Sequence, residues 1–421
     1  MIKRAAVSAL LLSVCIGAGA QLLYRPDVKP GIEVLRESHY SVLEGKRVGL
    51  VTNPSGVDRK LRSTIDILYS APEVNLVALF GPEHGVRGDV WAGGKVSDGR
   101  DPATGLPVHS LYGSTRKPTP EMLKGIDVMV YDIQDVGVRS YTFISTLGLV
   151  MRACAEKGIE VVVLDRPNPL GGLKVEGCVV EPGFHSFVSQ FSIPYVYGLT
   201  VGELARLINS EGLNCGEKGK DAPLECKLTV IPMQGWRRYM LYRDTRLPWV
   251  LPSPNIPSMD SAIAYPCAGI AGEFNNYLNI GVGYTIPFET FAAEWIDADA
   301  LKARLDSYAL PGTAFRTIHY TPIAGSMQGK LLHGVQFFFT NYERASITLT
   351  QFYVMQAVRE LYPDKDPFAQ TSRNSMFDKV CGTDYVRTAF QRRMKVEDMV
   401  DYWNKDVYAF RTLSRKYLLY K

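Results

Sequence analysis

Apolar runs in the first half of the chain each stop at a cluster of polar residues. Lys46–Thr52 runs into Asn53-Pro-Ser-Gly56, and Val74–Phe80 into Gly81-Pro-Glu-His-Gly85. Ile126–Tyr131 runs into Asp132-Ile-Gln-Asp-Val-Gly137, and Ile159–Leu164 into Asp165-Arg-Pro-Asn-Pro169. Short β-branched runs separated by helix-length segments predict parallel strands joined by crossover helices. The alternation continues: Leu199–Ile208 reads as a helix opened by Thr200 with Glu203 three residues on, a capping-box pattern. Lys227–Ile231, closed by Pro232, reads as a fifth strand. The fold class is therefore α/β, with a Rossmann-like, mostly parallel sheet. Ligands in such sheets sit in the crevice outside the carboxyl ends of the strands. Four polar clusters are thus expected to converge on one place.

The pattern changes after a Pro-rich stretch at 244–258, which predicts a domain junction. Asp299–Leu310 predicts a short amphipathic helix, Gly334–Thr340 a strand, and Thr348–Leu361 a helix stopped before Pro363. Val396, Met399, Val400, Trp403, Val407 and Phe410 recur at helical spacing, a stripe that reads as core. A chain of 421 residues exceeds what one core usually serves. The expected division is residues 21–257 as a Rossmann-like catalytic domain and 258–421 as a smaller α+β domain.

Residues 1–20 stand outside that division. Lys3 and Arg4 precede an apolar stretch from Ala5 to Ile16, and Ala18-Gly-Ala20 supplies a cleavage site. This predicts a signal peptide and export, to the periplasm as first choice. Val14 before Cys15 is bulky for a lipoprotein box, which disfavours a lipid anchor. Removing Lys3 and Arg4 from a formal charge of +4 leaves +2, dispersed along the chain, so no nucleic-acid surface is expected. No membrane-spanning segment is expected after cleavage, and oligomeric state is left open. Of the six cysteines that remain, Cys215 and Cys226 bracket a polar loop and form the one candidate disulfide, while Cys154 reads as core. No spacing suggests a metal site or a cofactor. A nucleotide loop and a nucleophilic-serine elbow are also missing from the first strand turns.

The chemistry lies at the strand ends. Glu83 and His84 sit between Pro82 and Gly85, on a turn that would hold a carboxylate beside an imidazole. Glu83 is a candidate general acid, with His84 bonded to it or to substrate. Asp132, Gln134, Asp135 and Arg139 follow the third strand. Carboxyls from two strand ends meeting near Glu83 are the equipment of glycoside hydrolysis. Gln134 and Arg139 suit hydroxyl, amide or carboxylate groups, although Asp135 and Arg139 also suit a structural ion pair. Arg87 is a further candidate anion ligand. Asn168 is a candidate sugar ligand on a proline-fixed turn, and Asn53 the weakest of the set.

Several ordered motifs resemble one family. They are Phe80–Gly88, Thr104–Gly113, Asp132–Thr142, Asp165–Gly172, Gly198–Ala205, Leu247–Pro257 and Arg415–Tyr420. Across nearly the whole mature chain the sequence resembles the NamZ family of exo-β-N-acetylmuramidases. The resemblance implies a cleft between a Rossmann-like and a smaller domain. It implies release of N-acetylmuramic acid from non-reducing ends of peptidoglycan fragments, with Glu83 catalytic. Asp135 and Asp132 are the candidates for the second catalytic group.

The chain also departs from the family pattern. Gly281-Val-Gly-Tyr284, Ile286, Val196-Tyr197 and Met327 stand where basic or other residues are usual. This would remove partners for the lactyl carboxylate of muramic acid. The expected function is accordingly an exported exo-glycosidase of peptidoglycan turnover. The alternatives are an amino-sugar binding protein without turnover, or a glycosidase with altered sugar preference. Tyr277 and Tyr284 either line the cleft or pack in the core.

Overall fold

The computed structural model describes residues 27–88, 98–213, 223–274, 276–369 and 371–421. The signal-peptide reading, Cys15 and Cys215 lie outside these residues. Cys154, Cys178, Cys267 and Cys381 are buried free thiols.

The first region is a seven-stranded sheet. Its strands are β1 (Arg47–Thr52), β2 (Asn75–Gly81), β3 (Gly99–Arg100), β4 (Pro107–Ser110), β5 (Val128–Asp132), β6 (Glu160–Leu164) and β7 (Leu228–Ile231). They lie in the order β3-β4-β2-β1-β5-β6-β7. All neighbours are parallel except the β3–β4 edge pair. Without β3, this is the Rossmann strand order, with its reversal between β1 and β5. Every residue of β5 and β6 is buried, as expected for central strands covered on both faces. The sequence pattern located β1, β2, β5, β6 and β7. It missed β3 and β4, which are two and four residues long and sit at the edge.

Helices α1 (Gly31–Glu37), α2 (Thr64–Ser70), α3 (Phe143–Lys157) and α4 (Val201–Glu211) flank this sheet. The capping box expected at α4 is present: Thr200 accepts from the Glu203 N–H while Glu203 accepts from the Thr200 N–H. Helix α3 ends at Gly158, whose φ of 68° needs no Cβ to be accommodated.

The second region opens with α5 (Met259–Ala268). It continues through β8 (Thr290–Ala293), α6 (Ala298–Ser307), β9 (Thr313–Tyr320), β10 (Leu332–Phe339) and α7 (Thr350–Leu361). Helices α8 (Thr371–Cys381), α9 (Tyr385–Arg393), α10 (Val400–Asn404) and α11 (Val407–Ser414) complete it. Its sheet is antiparallel, in the order β8-β10-β9. The aromatic stripe at Val396–Phe410 is not one helix. It divides between α10 and α11, where Asp406 takes the backbone N–H of Val179 at 3.0 Å. Its large members still pack as read: Trp403 is fully buried and its indole N–H donates to Thr348.

One hydrophobic cluster runs through both regions, joining Phe80, Tyr131 and Val163 to Phe274, Phe291 and Trp403. The seam is also fastened by polar groups. Glu176 accepts the N–H and hydroxyl of Thr348 at 2.8 and 2.7 Å. The C-terminal tail returns to the first sheet, where Tyr420 donates to Asp165 and the Leu419 N–H to Glu203.

Candidate active site

A pocket of about 190 Å³ opens between the two regions, outside the carboxyl ends of the strands. The scale is that of a single sugar ring, below the ~300–1,000 Å³ of drug-sized ligand sites. Glu83 and His84 come from the turn after β2, and Ser140 to Phe143 from the loop after β5. Ser253 and Asn255 come from the Pro-rich junction, and Tyr265 and Phe288 from the second region.

The turn after β2 is tight and strained. The Gly85 N–H donates to the Pro82 carbonyl at 3.0 Å, closing it around Glu83 and His84. His84 has a φ of 76°, in the left-handed region, which few non-glycine residues adopt although His, Asn and Asp do so more often than the rest. His84 is buried, and Glu83 is half-buried at the pocket wall. Such strain persists only where the surroundings enforce it, and it concentrates at functional sites. Tyr112 hydrogen-bonds Glu83. Burial and that neighbouring carboxylate push the Tyr112 phenol up to about 12.

Asp135, on the loop after β5, sits behind the pocket wall. One carboxylate oxygen, Oδ2, accepts from the Tyr197 hydroxyl and, at 2.7 Å, from the Gly137 N–H. The other, Oδ1, is buried with no hydrogen bond. Burial outweighs these bonds and raises the Asp135 carboxyl to about 6. The phenols of Tyr141 and Tyr265 are both pushed far up, chiefly by burial, with contributions from both Asp135 and Glu83. The two carboxyls therefore bear on the same aromatic pair. Ser140 bonds Tyr195 and Tyr265 at 3.1 Å each and fixes the Tyr265 phenol.

The other expected site residues do not line the pocket: all but the partly exposed Arg87 form a buried polar layer beneath it. Asp132 is fully buried in a two-pronged ion pair with Arg166 and also accepts from Thr64, so it is committed to structure. Arg139 does not pair with Asp135 and does not reach the pocket. Its guanidinium, fully buried, donates to the carbonyls of Cys178, Ile193, Val380 and Cys381. It thereby ties the first sheet's loops to the end of α8. Gln134 donates to the carbonyls of Asp135 and Pro167, both at 2.7 Å. Asn168 braces its own turn and the Leu199 carbonyl. It fills the space a Cβ would need at Gly137, 2.3 Å away. Arg87 is held by Asp101 and Asp66. Asn53 folds its own turn and donates to the Pro252 carbonyl at 3.1 Å, which anchors the segment bearing Ser253 and Asn255.

Sequence reading missed Tyr112, Ser253, Asn255, Tyr265 and Phe288. For Ser253 and Asn255 a signal existed, since polar residues between three prolines on a rigid strap are well placed to meet a ligand. Tyr277 is core, packed on Trp295. Tyr284 is partly exposed, stacked on Tyr320 and outside the pocket lining. The positions that depart from the family pattern are mostly interior: Val196 and Tyr197 are fully buried, and Met327 packs with Ile286 and Tyr320. Among the described residues no group of three His, Cys, Asp or Glu side chains could hold a metal ion. Nor is any helix long and apolar enough to cross a membrane.

Comparison with known proteins gives concordant matches. The family model described as "Exo-beta-N-acetylmuramidase NamZ, N-terminal" matches residues 48–260, and its C-terminal counterpart matches 263–420. The chain is 43% identical over 400 residues to the peptidoglycan beta-N-acetylmuramidase NamZ of Bacillus subtilis (strain 168). That match covers 95% of this chain and 93% of the relative. A crystal structure of a DUF1343 family protein from Bacteroides fragilis NCTC 9343 superposes with a TM-score of 0.89 at 55% identity. It covers 94% of this chain and all of that one. A second DUF1343 family protein from the same organism gives 0.73 at 28% identity, over 94% and 99% of the two chains.

Proposed function

The chain belongs to the NamZ exo-β-N-acetylmuramidase family, and from that premise we propose that it releases N-acetylmuramic acid from the non-reducing ends of peptidoglycan fragments. It is a glycoside hydrolase, and its substrate is peptidoglycan-derived. The observation that carries the finer reading is the placement of Glu83. A carboxyl held on a strained turn opens into a pocket the size of one sugar ring, which suits removal of a terminal unit. In this reading Glu83 protonates the leaving oxygen of the glycosidic bond. Asp135 is the second carboxyl, whose ionised form offsets the positive charge that develops at the sugar's anomeric carbon; the oxygen of a water molecule ends bonded to that carbon, and the proton that water releases restores Glu83. Ser253, Asn255 and Thr142 supply hydroxyl and amide groups to the ring substituents.

The positions that depart from the family pattern favour one second reading, in which the same hydrolysis is directed at another amino sugar. Chromogenic N-acetylmuramic acid and N-acetylglucosamine substrates, compared side by side, separate the two. Export and a role in cell-wall turnover rest on the first twenty residues. N-terminal sequencing of the mature protein, expected to begin near Gln21, tests them.

The central experiment is incubation with a muramyl-N-acetylglucosamine disaccharide. The wild-type protein is expected to release free N-acetylmuramic acid. Glu83→Gln is expected to lose about 10³-fold in kcat while retaining its melting temperature and its affinity for the disaccharide. No cleavage by the wild type, with binding indifferent to Glu83→Gln, would overturn the reading.

A further inference from the structure

A second cavity, larger than the one beside Glu83, lies elsewhere on the molecule. A groove of about 860 Å³ lies on the seam between the two regions, walled by the loop after β6, by residues 238–244 and by the segment after β10. It belongs to the same carboxyl edge of the sheet as the pocket. In the strand order, β6 lies three places from β2, about 14 Å at the usual spacing of strands.

Its rim is unusual for a soluble surface. Leu173 is 60% exposed and Tyr239 62% exposed. Large exposed side chains grouped around a concavity mark a binding surface, whereas single ones need no explanation.

The groove also holds cations. Lys174 is seated by the carbonyls of Ala345 and Glu343 at 2.7 and 3.2 Å and pairs with Glu176 at 3.8 Å, with its ammonium 5.0 Å from the centre of the Tyr342 ring, so its charge is answered within the protein. Arg411 donates to the Leu173 carbonyl at 3.1 Å and has no carboxylate partner among the described residues. The two cations lie close enough for Arg411 to disfavour the charge on Lys174. Of the acidic groups on the wall, Asp244 is turned to the Leu241 N–H, and Glu343 is exposed. The groove thus offers the exposed ring of Tyr239 together with the Arg411 guanidinium, the wall cation that no carboxylate answers among the described residues.

We propose that this seam groove is a second saccharide site, which holds a lactyl-bearing amino-sugar strand away from the point of cleavage. Sugar rings present apolar C–H faces that stack on exposed tyrosines. The lactyl carboxylate, repeated on alternate sugars of the strand, meets Arg411 in a charge-assisted contact. The inference rests on the muramidase reading for the identity of the strand, and it predicts a preference for polymer over disaccharide.

The test uses the full-length protein and peptide-free glycan strands. Co-sedimentation or calorimetry with Glu83→Gln measures strand binding without cleavage, and the same is done with Tyr239→Ala and Arg411→Ala added singly. Each is expected to weaken strand binding about tenfold, the worth of one net charge-assisted contact. In the wild-type background, turnover of the disaccharide is expected to stay unchanged by either substitution. Equal strand binding by all three proteins overturns the proposal. So does a parallel loss on strand and disaccharide, which would assign the effect to the fold. Tyr239 is solvent-exposed, so its substitution keeps the test readable should Arg411→Ala disturb the seam. A wild type that cleaves no disaccharide would count against the muramidase reading alone, because strand binding is measured separately.

Discussion

Glu83 and Asp132 both follow buried strands of the same sheet, two strand positions apart, and both stand in a run of polar residues. Their surroundings give them opposite work. Asp132 is enclosed, with Arg166 gripping both oxygens and Thr64 bonded to one of them. Both carboxylate oxygens are engaged by the protein, and the group is closed off from the pocket. Glu83 sits on a turn that lifts its carboxyl to a pocket wall, with a tyrosine as its neighbour. The difference lies in the partners each turn finds across the sheet edge. A carboxylate opposite a buried arginine becomes architecture, and one opposite open volume becomes available for chemistry.

Four substitutions probe that contrast. Glu83→Gln should have the largest effect, about 10³-fold in kcat, with the denaturation midpoint unmoved. A large shift in the midpoint would place Glu83 with the architectural set. Asp132→Ala should show the reverse. It leaves Arg166 buried without its partner, at a cost of about 3–5 kcal/mol in unfolding free energy by urea titration. Any protein that still folds should keep substantial turnover.

Asp135 stands between the two cases and should reveal itself through pH. Its native value of about 6 lies above the ordinary 3.8, so the folded protein holds the extra proton between those values. Stability should therefore fall as pH rises from 3.8 to 6, by about 3 kcal/mol in all, and that loss should be complete above pH 6. Asp165, raised to about 7 by burial, acts in the same sense to higher pH. Asp135→Asn should flatten the lower part of the profile and leave the upper part. An unchanged profile would remove Asp135 as a titrating group. The smallest effect belongs to Asn53→Ala. Losing its bond to the Pro252 carbonyl should cost about 1 kcal/mol of stability and loosen the strap that carries Ser253 and Asn255. That should appear as a few-fold rise in KM with kcat nearly constant.

Much of the sheet was legible in the sequence because its central strands are buried on both faces and read as unbroken apolar runs. Edge strands β3 and β4 were not, being too short to carry a period. Residues of the sheet crevice were legible as a group but not by role. Sequence shows that Asp132, Arg139, Asn53 and Asn168 are polar residues after strands. It does not show that Arg166 crosses to the first, or that four carbonyls from three separate segments surround the second. Those partners are distant in sequence, Arg139 and Cys381 being 242 residues apart. The place of Glu83 at the pocket was legible because Pro82 and Gly85 restrict its turn locally. Tyr265 and Phe288 were not, since they join the pocket only when the second region packs against the first.

The return of the C-terminal tail sets an order of events for the growing chain. Asp165 and Glu203 are buried in the first region, yet they gain bonds from Tyr420 and Leu419. Tyr420 is made 255 residues after Asp165. At ordinary rates of synthesis this is an interval of roughly 13–50 s. Until then the crevice end of β6 waits for its final hydrogen bonds, and the first sheet cannot reach its finished state ahead of the last residues. A change at Leu419 or Tyr420 would act on the edge of the sheet that bears the candidate active site.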